Sequence, residues 1–375
     1  MRIVPTIRED AKLITDDLAQ VLPALAGSTL LVTGAQGFLC SYIVDAVAHY
    51  NDVSRRPPCR IIVVDNLSSS QGERLAHLTN RRDVAFLQHD VARPLILDEP
   101  LHWIVHGASI ASPSIYRQYP LETIDANVTG TRNLLALAVE KSVRGMVIMS
   151  SSEIYGDPQP EFVPTPETYR GNVSSFGPRA CYDESKRMAE TLCWVYHDKF
   201  GVRANCIRPF NVYGPGLRLE DKRVLPDLIK AALTDQPIVL FSDGTPTRTF
   251  CYVTDFVRGL FHVLLSGKGG EAFNVGNDQG EVSIIDLAER VRQVAAGVLK
   301  RPAVPVEFRL SEDRLYLVDN PQRRCPDIAK MRRFFPWAPA VALDDGLRRT
   351  LRAWCESEAG FGDAASSAAM CEMRT

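Results

Sequence analysis

The sequence holds no apolar run long enough to cross a bilayer, and its opening stretch, MRIVPTIREDAKLITDD, lacks the apolar core of a signal peptide. These absences predict no membrane partner and a cytoplasmic location. Metal-ligand spacing is missing too. The nine cysteines (40, 59, 181, 193, 206, 251, 325, 355 and 371) form no C-x-x-C pair, and the seven histidines are dispersed. A structural zinc site or a disulfide scaffold needs tighter grouping, so no metal is expected and the thiols read as reduced. Charge of one sign is also scarce: 43 Lys and Arg against 45 Asp and Glu leave a net charge of −2. That balance argues against a dedicated nucleic-acid surface. What remains, 375 residues with 45% apolar and 23% charged side chains, suits a globular protein of one large domain or two.

What is present is alternation. TLLVTG (29–34), RIIVVD (60–65), VAFLQHD (84–90), WIVHGA (103–108) and GMVIMSSS (145–152) read as buried strands, and VRANCIRP (202–209) continues the series. Helical segments separate them: one ending near Tyr50, a long one across 121–141 and one carrying Tyr182. Near-continuous apolar strands between helices predict an α/β fold, a doubly wound parallel sheet of Rossmann type. After residue 209 short strands such as PIVLFSD (237–243) mix with helices at 224–234, 254–266 and 284–296, which predicts a smaller C-terminal α/β lobe. The expected division is an extension at 1–27 with an amphipathic helix over 8–26, a cofactor domain at 28–209 with a return segment near 247–280, a second lobe mainly at 210–358, and a flexible tail at 359–375. The extension is expected to pack on the domain or on a partner subunit.

Three local patterns carry chemistry. LLVTGAQGFLCS places Gly34 and Gly37 at a strand-to-helix turn, where the backbone can approach a diphosphate seated on the helix N-terminus. The third glycine position of that pattern holds Cys40. Asp65 ends the second strand, where a carboxylate accepts both ribose hydroxyls and repels a 2′-phosphate, favouring NAD over NADP; a plain capping role is the alternative. Asp90 and Val91 close the third strand, placed to meet the adenine. In GPRACYDESKRMAE (177–190), Tyr182 and Lys186 share one helix face. A free tyrosine has a pKa of roughly 10, and a nearby ammonium favours the phenolate. Such a pair can move a proton on and off a hydroxyl.

Together the Gly34/Gly37 turn, Asp65, SSSEIYGDP (150–158), Tyr182-x-x-x-Lys186 and RPFNVYGPG (208–216) resemble the extended short-chain dehydrogenase/reductase superfamily of nucleotide-sugar enzymes, over about residues 28–352. SEIYGDP, GPRACYDESKR, TPTRTFCYVTD and NPQRRCPDIAKMRRFFPWAP (320–339) most resemble its UDP-glucuronate decarboxylase family, which makes UDP-xylose. The resemblance implies a tightly bound NAD, regenerated in each cycle and surrounded by Gly34, Gly37, Phe38, Asp65, Asn66, Asp90, Val91, Ala108 and Lys186. It implies that Tyr182 takes the proton of the sugar 4-hydroxyl and that Lys186 holds the nicotinamide ribose and lowers the Tyr182 pKa. Ser151 would hydrogen-bond the 4-oxygen, and Glu153, beside Ser152, would orient the ring or handle a water. Arg179, Asn211, Arg223, Val224, Arg248 and Arg324 are the implied contacts to a UDP-linked sugar, since arginine forks suit diphosphates.

Departures from that family are visible. Its proline-rich sugar loop is GASIASPSIYRQYP (107–120) here, so Ser109, Ser112 and Tyr116 would meet the sugar with different chemistry. Its glycine in Y-D-E-G-K is Ser185. A 4,6-dehydratase needs an acid where this chain has Ser152, a poor proton donor, so dehydration is disfavoured. A 4-epimerase, on a uronate or another modified sugar, is the main alternative, and a non-catalytic NAD-sensing protein a remote one. A homodimer is expected, its helices at 121–141 and 181–200 pairing across a two-fold axis.

Overall fold

Strand β1 (Thr29–Thr33) is buried along its whole length. Alternate residues explain why: Val32 joins the core on one side of the sheet and Leu31 the core on the other. A strand coated on both faces has no use for polar side chains, hence the continuous apolar run. The structure, a computed structural model, describes residues 3–68, 73–221, 223–310 and 321–361. Around β1 lie β2 (Arg60–Asp65), β3 (Val84–Gln88), β4 (Trp103–His106), β5 (Gly145–Met149) and β6 (Ala204–Pro209). With the strand Ala272–Val275 they form one parallel seven-stranded sheet, ordered from that strand through β6, β5, β4 and β1 to β2 and β3. Leu30 pairs with Ile61 on one side and Trp103 on the other. The order therefore reverses between β1 and β4, and the loops leaving their carboxyl ends part there, which is where open α/β sheets bind ligands.

Helices α1 (Pro5–Asp17) and α2 (Phe38–Val53) precede the short α3 (Pro113–Gln118) and α4 (Pro120–Ile124). A π turn, Asp125–Thr129, joins α4 to α5 (Gly130–Glu140), so the helix expected at 121–141 is continuous but widened in its middle. Then follow α6 (Ala180–Phe200), α7 (Val224–Leu233), α8 (Val253–Leu264), α9 (Ile284–Leu299), α10 (Ala329–Phe334) and α11 (Leu343–Phe361). On one face of the sheet, Tyr42, Ile43 and Val47 of α2 pack with Phe256 and Leu260 of α8. On the other, Leu134 and Leu135 of α5 pack with Ala189 and Cys193 of α6. Leu228, Leu287 and Leu347, from α7, α9 and α11, belong to the first of these cores, so the C-terminal elements share apolar interior with the sheet.

Three expectations need correction. The N-terminal helix spans Pro5–Asp17, not 8–26, and a short 3₁₀ turn, Leu22–Leu25, follows it. Pro23 rules out an unbroken helix to residue 26: it has no amide hydrogen to give and its ring clashes with the carbonyl four residues back. The stretch 107–120 is not all loop, since Pro113 starts α3. The last helix runs to Phe361, into the segment read as a tail, while residues 362–375 lie outside the described residues. No helix among the described residues is long and apolar enough to cross a membrane, and none of their His, Cys, Asp and Glu side chains cluster as a metal site would require.

Candidate active site

Gly34 has φ +65°, and a Cβ there would come within 2.7 Å of the Ala108 backbone. Only glycine allows β1 to turn this close to the chain leaving β4. Gly37 then opens α2 with no side chain capping its first amides. Those free N–H groups and the helix dipole make a seat for a diphosphate. Cys40 is buried in the wall behind it, and space for its sulfur comes from Gly107, where a Cβ would sit 2.2 Å from Sγ. The glycine missing at 40 is thus supplied across the contact. Asp65 accepts the amides of Gln36 and Leu67, each at 2.9 Å, and fixes the end of β2 against the glycine turn. These residues fit a dinucleotide: a cradle that a side chain would fill, uncapped amides and one carboxylate.

A cavity of about 1060 Å³ runs from this turn to α6 and the chain beyond β6. Its wall includes Gly34, Gly37, Phe38, Ser112, Tyr116, Ser151, Ser152, Glu153, Arg179, Tyr182, Lys186, Asn211 and Arg223. The Ser151 hydroxyl lies beside the Tyr182 phenol, where it favours the phenolate. Burial outweighs that pull and pushes the phenol up to about 12. Lys186 lies 5.7 Å above the Tyr182 ring and donates to the Met149 carbonyl at 2.8 Å. Burial pushes this ammonium down to about 8. The expected lowering of Tyr182 by Lys186 is therefore not what this cleft does. The ammonium faces the ring and a carbonyl, and the dry surroundings outweigh it. Tyr116 of α3 stacks on Tyr182, ring centroids 5.1 Å apart and planes within 10°.

Glu153 follows Ser151 on a short 3₁₀ turn, its amide donating to Ser151 Oγ at 3.1 Å. Burial opposes its ionisation, but Arg324 and Arg179 pair with it and Arg248 lies near, so its carboxyl is held well below the usual range. Arg324 Nη2 donates to it at 2.9 Å. Of these three guanidiniums only Arg179 lines the cavity; Arg324 and Arg248 hold the carboxylate from behind.

Residues 30–276 match the NAD dependent epimerase/dehydratase family. The chain belongs to that family. It is 38% identical over 320 residues to UDP-glucuronic acid decarboxylase 1 of Arabidopsis thaliana, covering 85% of this chain and 68% of that one. The likeness to UDP-glucuronic acid decarboxylase 3 of the same plant is 37% over 318 residues, 85% of this chain and 86% of the relative. Among solved structures, a dTDP-glucose 4,6-dehydratase double mutant from Streptomyces venezuelae with NAD bound has a TM-score of 0.73 at 24% identity, over 88% and 98% of the two chains. That likeness shows the fold.

Membership of an NAD-dependent family does not put every expected residue on the cleft wall. Asn66 and Asp90 serve local turns, accepting Ser68 and Ala92 amides. Val91 is core, its methyl pressed against Gly130. Val224 begins α7 and packs on the main core. Ala108 meets the cleft through its neighbours, its amide turned to Thr33 Oγ1 at 3.4 Å. Asn211 lines the wall while its amide donates to the Thr249 carbonyl at 2.9 Å, and Arg223 pairs with Asp221. Arg324 and Arg248, expected at the sugar diphosphate, stand behind Glu153, with Arg248 bonded to the carbonyls of Thr247 and Pro321. Sequence reading missed Ile3, Ile7, Arg74 and Trp354, which the N-terminal segment, a loop and the last helix bring to the same cavity. No local motif marks them; only the folded contact does.

Proposed function

We propose that this protein oxidises UDP-glucuronate at C4, removes its carboxyl group and releases UDP-xylose. The observation that carries the reading is Ser152 set beside Ser151, Glu153 and Tyr182 on one cleft wall, in a chain more than one third identical to decarboxylases of that substrate. Position 152, where dehydration demands an acid for the departing hydroxyl, holds a serine, a poor proton donor; decarboxylation demands no such acid.

Gly34, Gly37 and Lys186 would hold NAD, which would supply hydride-transfer chemistry at C4. Tyr182 takes the proton of the 4-hydroxyl while Ser151 holds that oxygen, and Lys186 anchors the nicotinamide ribose. The resulting 4-ketone makes the C5 carboxylate a β-keto acid, whose electrons pass to the ketone as CO₂ departs. Glu153, fixed by Arg179 and Arg324, orients the ring and the water that serves C5. Tyr182 returns its proton to O4. Ser112, Tyr116 and Arg223 line the sugar and nucleotide side, with Asn211 at the diphosphate. The parallel sheet with its cofactor turn and the C-terminal elements form two lobes around this cleft.

Leu121 (71% exposed), Met188 (47%) and Trp194 (57%) stand out on α4 and α6, which supports a homodimer paired through these helices. The eight described cysteines are free thiols, the state a reducing compartment maintains, which supports a cytoplasmic location. The test is UDP-glucuronate labelled with ¹³C at C6. Release of labelled CO₂ is expected; full retention of label in an isomer would make the protein a uronate epimerase instead.

A further inference from the structure

His106, at the end of β4, is 3% exposed and touches a hydroxyl on each side. Its Nδ1 lies 2.8 Å from Thr33 Oγ1 and its Nε2 3.1 Å from Thr131 Oγ1. The donors can be assigned by elimination. Thr131 gives its single proton to the Asn127 carbonyl at 2.5 Å, so toward His106 it can only accept. Nε2 therefore carries the hydrogen. Burial, with the Lys186 ammonium nearby, pushes the ring down to about 3, so it is neutral and Nδ1 is bare. Thr33 must then donate to Nδ1, while its oxygen accepts the Ala108 amide at 3.4 Å.

The same sense continues beyond Asn127. Its side-chain amide donates to Ser185 Oγ at 2.9 Å, and Ser185 donates to the Tyr182 carbonyl at 3.0 Å. Each of the three hydroxyls accepts once and donates once. Asn127 Oδ1 is left buried without a partner. Turning the amide over would instead leave two N–H donors in that dry spot and would take the Ser185 proton away from Tyr182. The π turn at Asp125–Thr129 places Asn127 against α6. Two directed runs of bonds thus meet at Asn127, one from Ala108, against which Gly34 turns, to its backbone carbonyl, the other from its side-chain amide through Ser185 to the backbone carbonyl of Tyr182, the residue that the proposed mechanism uses as acid and base.

We infer that Ser185 is a positioning residue for Tyr182, the last link of two one-way hydrogen-bond runs, meeting at Asn127, that tie the catalytic helix to the cofactor turn. Its hydroxyl stands where the resembling family carries glycine, so the final link belongs to this chain. The inference rests on the proposed role of Tyr182.

The experiment compares Ser185→Ala and Ser185→Thr with the wild-type holoenzyme, alongside ¹⁵N spectra of histidine-labelled protein. Ser185→Ala should lower kcat about fivefold with KM and NAD content unchanged, as loss of one such bond implies, while Ser185→Thr retains the rate. The His106 signals should show a neutral Nε2–H ring throughout pH 5 to 8. An unchanged kcat in Ser185→Ala, or a joint fall of kcat, NAD content and Tm, would overturn the inference. So would an Nδ1–H or protonated His106. The imidazole signals are read without substrate, so a failure of the sugar assignment leaves that arm standing.

Discussion

Asp183 sits beside Tyr182 on α6, 5% exposed, with Oδ1 buried and unpartnered. Burial and the Glu153 charge push its carboxyl up, against the pull of Arg179, whose Nε lies 3.6 Å away. A raised carboxyl binds its proton in the fold at pH values where the unfolded chain has lost it. Stability therefore falls as pH rises through that window. Asp183→Asn cannot ionise, so its Tm should exceed that of the wild type by more at pH 8 than at pH 5; an equal difference at both would count against the assignment. Tyr182→Phe removes the proton carrier and should lower kcat by about a thousandfold while NAD stays bound, measured by turnover and by cofactor absorbance. At this scale the sequence was legible where a residue acts through spacing. Spacing singled out Tyr182 and Lys186, the family resemblance added Ser151 and Glu153, and all four line the cavity. The arginines were named too, but their pairing with Glu153 was not: Arg324 reaches Glu153 only because the chain near residue 324 folds back.

Among the elements, the N-terminal helix shows what periodicity reveals and what it hides. Of the apolar stripe expected at Leu13, Ile14, Leu18, Val21 and Leu22, Ile14, Leu18 and Leu22 are buried, Val21 is half-buried and Leu13 is 45% exposed. The polar member of that face was not foreseeable. Asp10 is wholly buried and accepts from Tyr42 at 3.0 Å, Tyr252 at 2.8 Å and Arg349 Nη2 at 2.6 Å. It joins α1 to α2, to the residue capping α8, and to α11. Removing it leaves a guanidinium and two phenols without their acceptor, so Asp10→Ala should cost about 3 kcal/mol in urea unfolding. A loss below about 1 kcal/mol would show that the extension is merely laid on the surface. Strands β1 to β6 were legible because burial on both faces writes unbroken apolar runs. The strand Ala272–Val275 was less so, since its neighbour β6 is more than sixty residues earlier. The π turn had no local signature; tertiary packing of Asn127 on Ser185 accompanies it.

For the whole molecule, the exposed apolar side chains of α4 and α6 support the proposed homodimer. Trp194→Glu should convert a dimer to a monomer by light scattering, with the fold retained by circular dichroism; a wild type already monomeric would contradict the proposed interface. The central claim is that the sugar is oxidised at C4, loses its carboxyl group and regains the same hydride. It is tested most directly with UDP-glucuronate carrying deuterium at C4, the product followed by mass spectrometry and NMR. The account predicts a UDP-pentose, lighter by CO₂, with deuterium still at C4. A hexuronate of unchanged mass, or a pentose that has lost its deuterium, would contradict it.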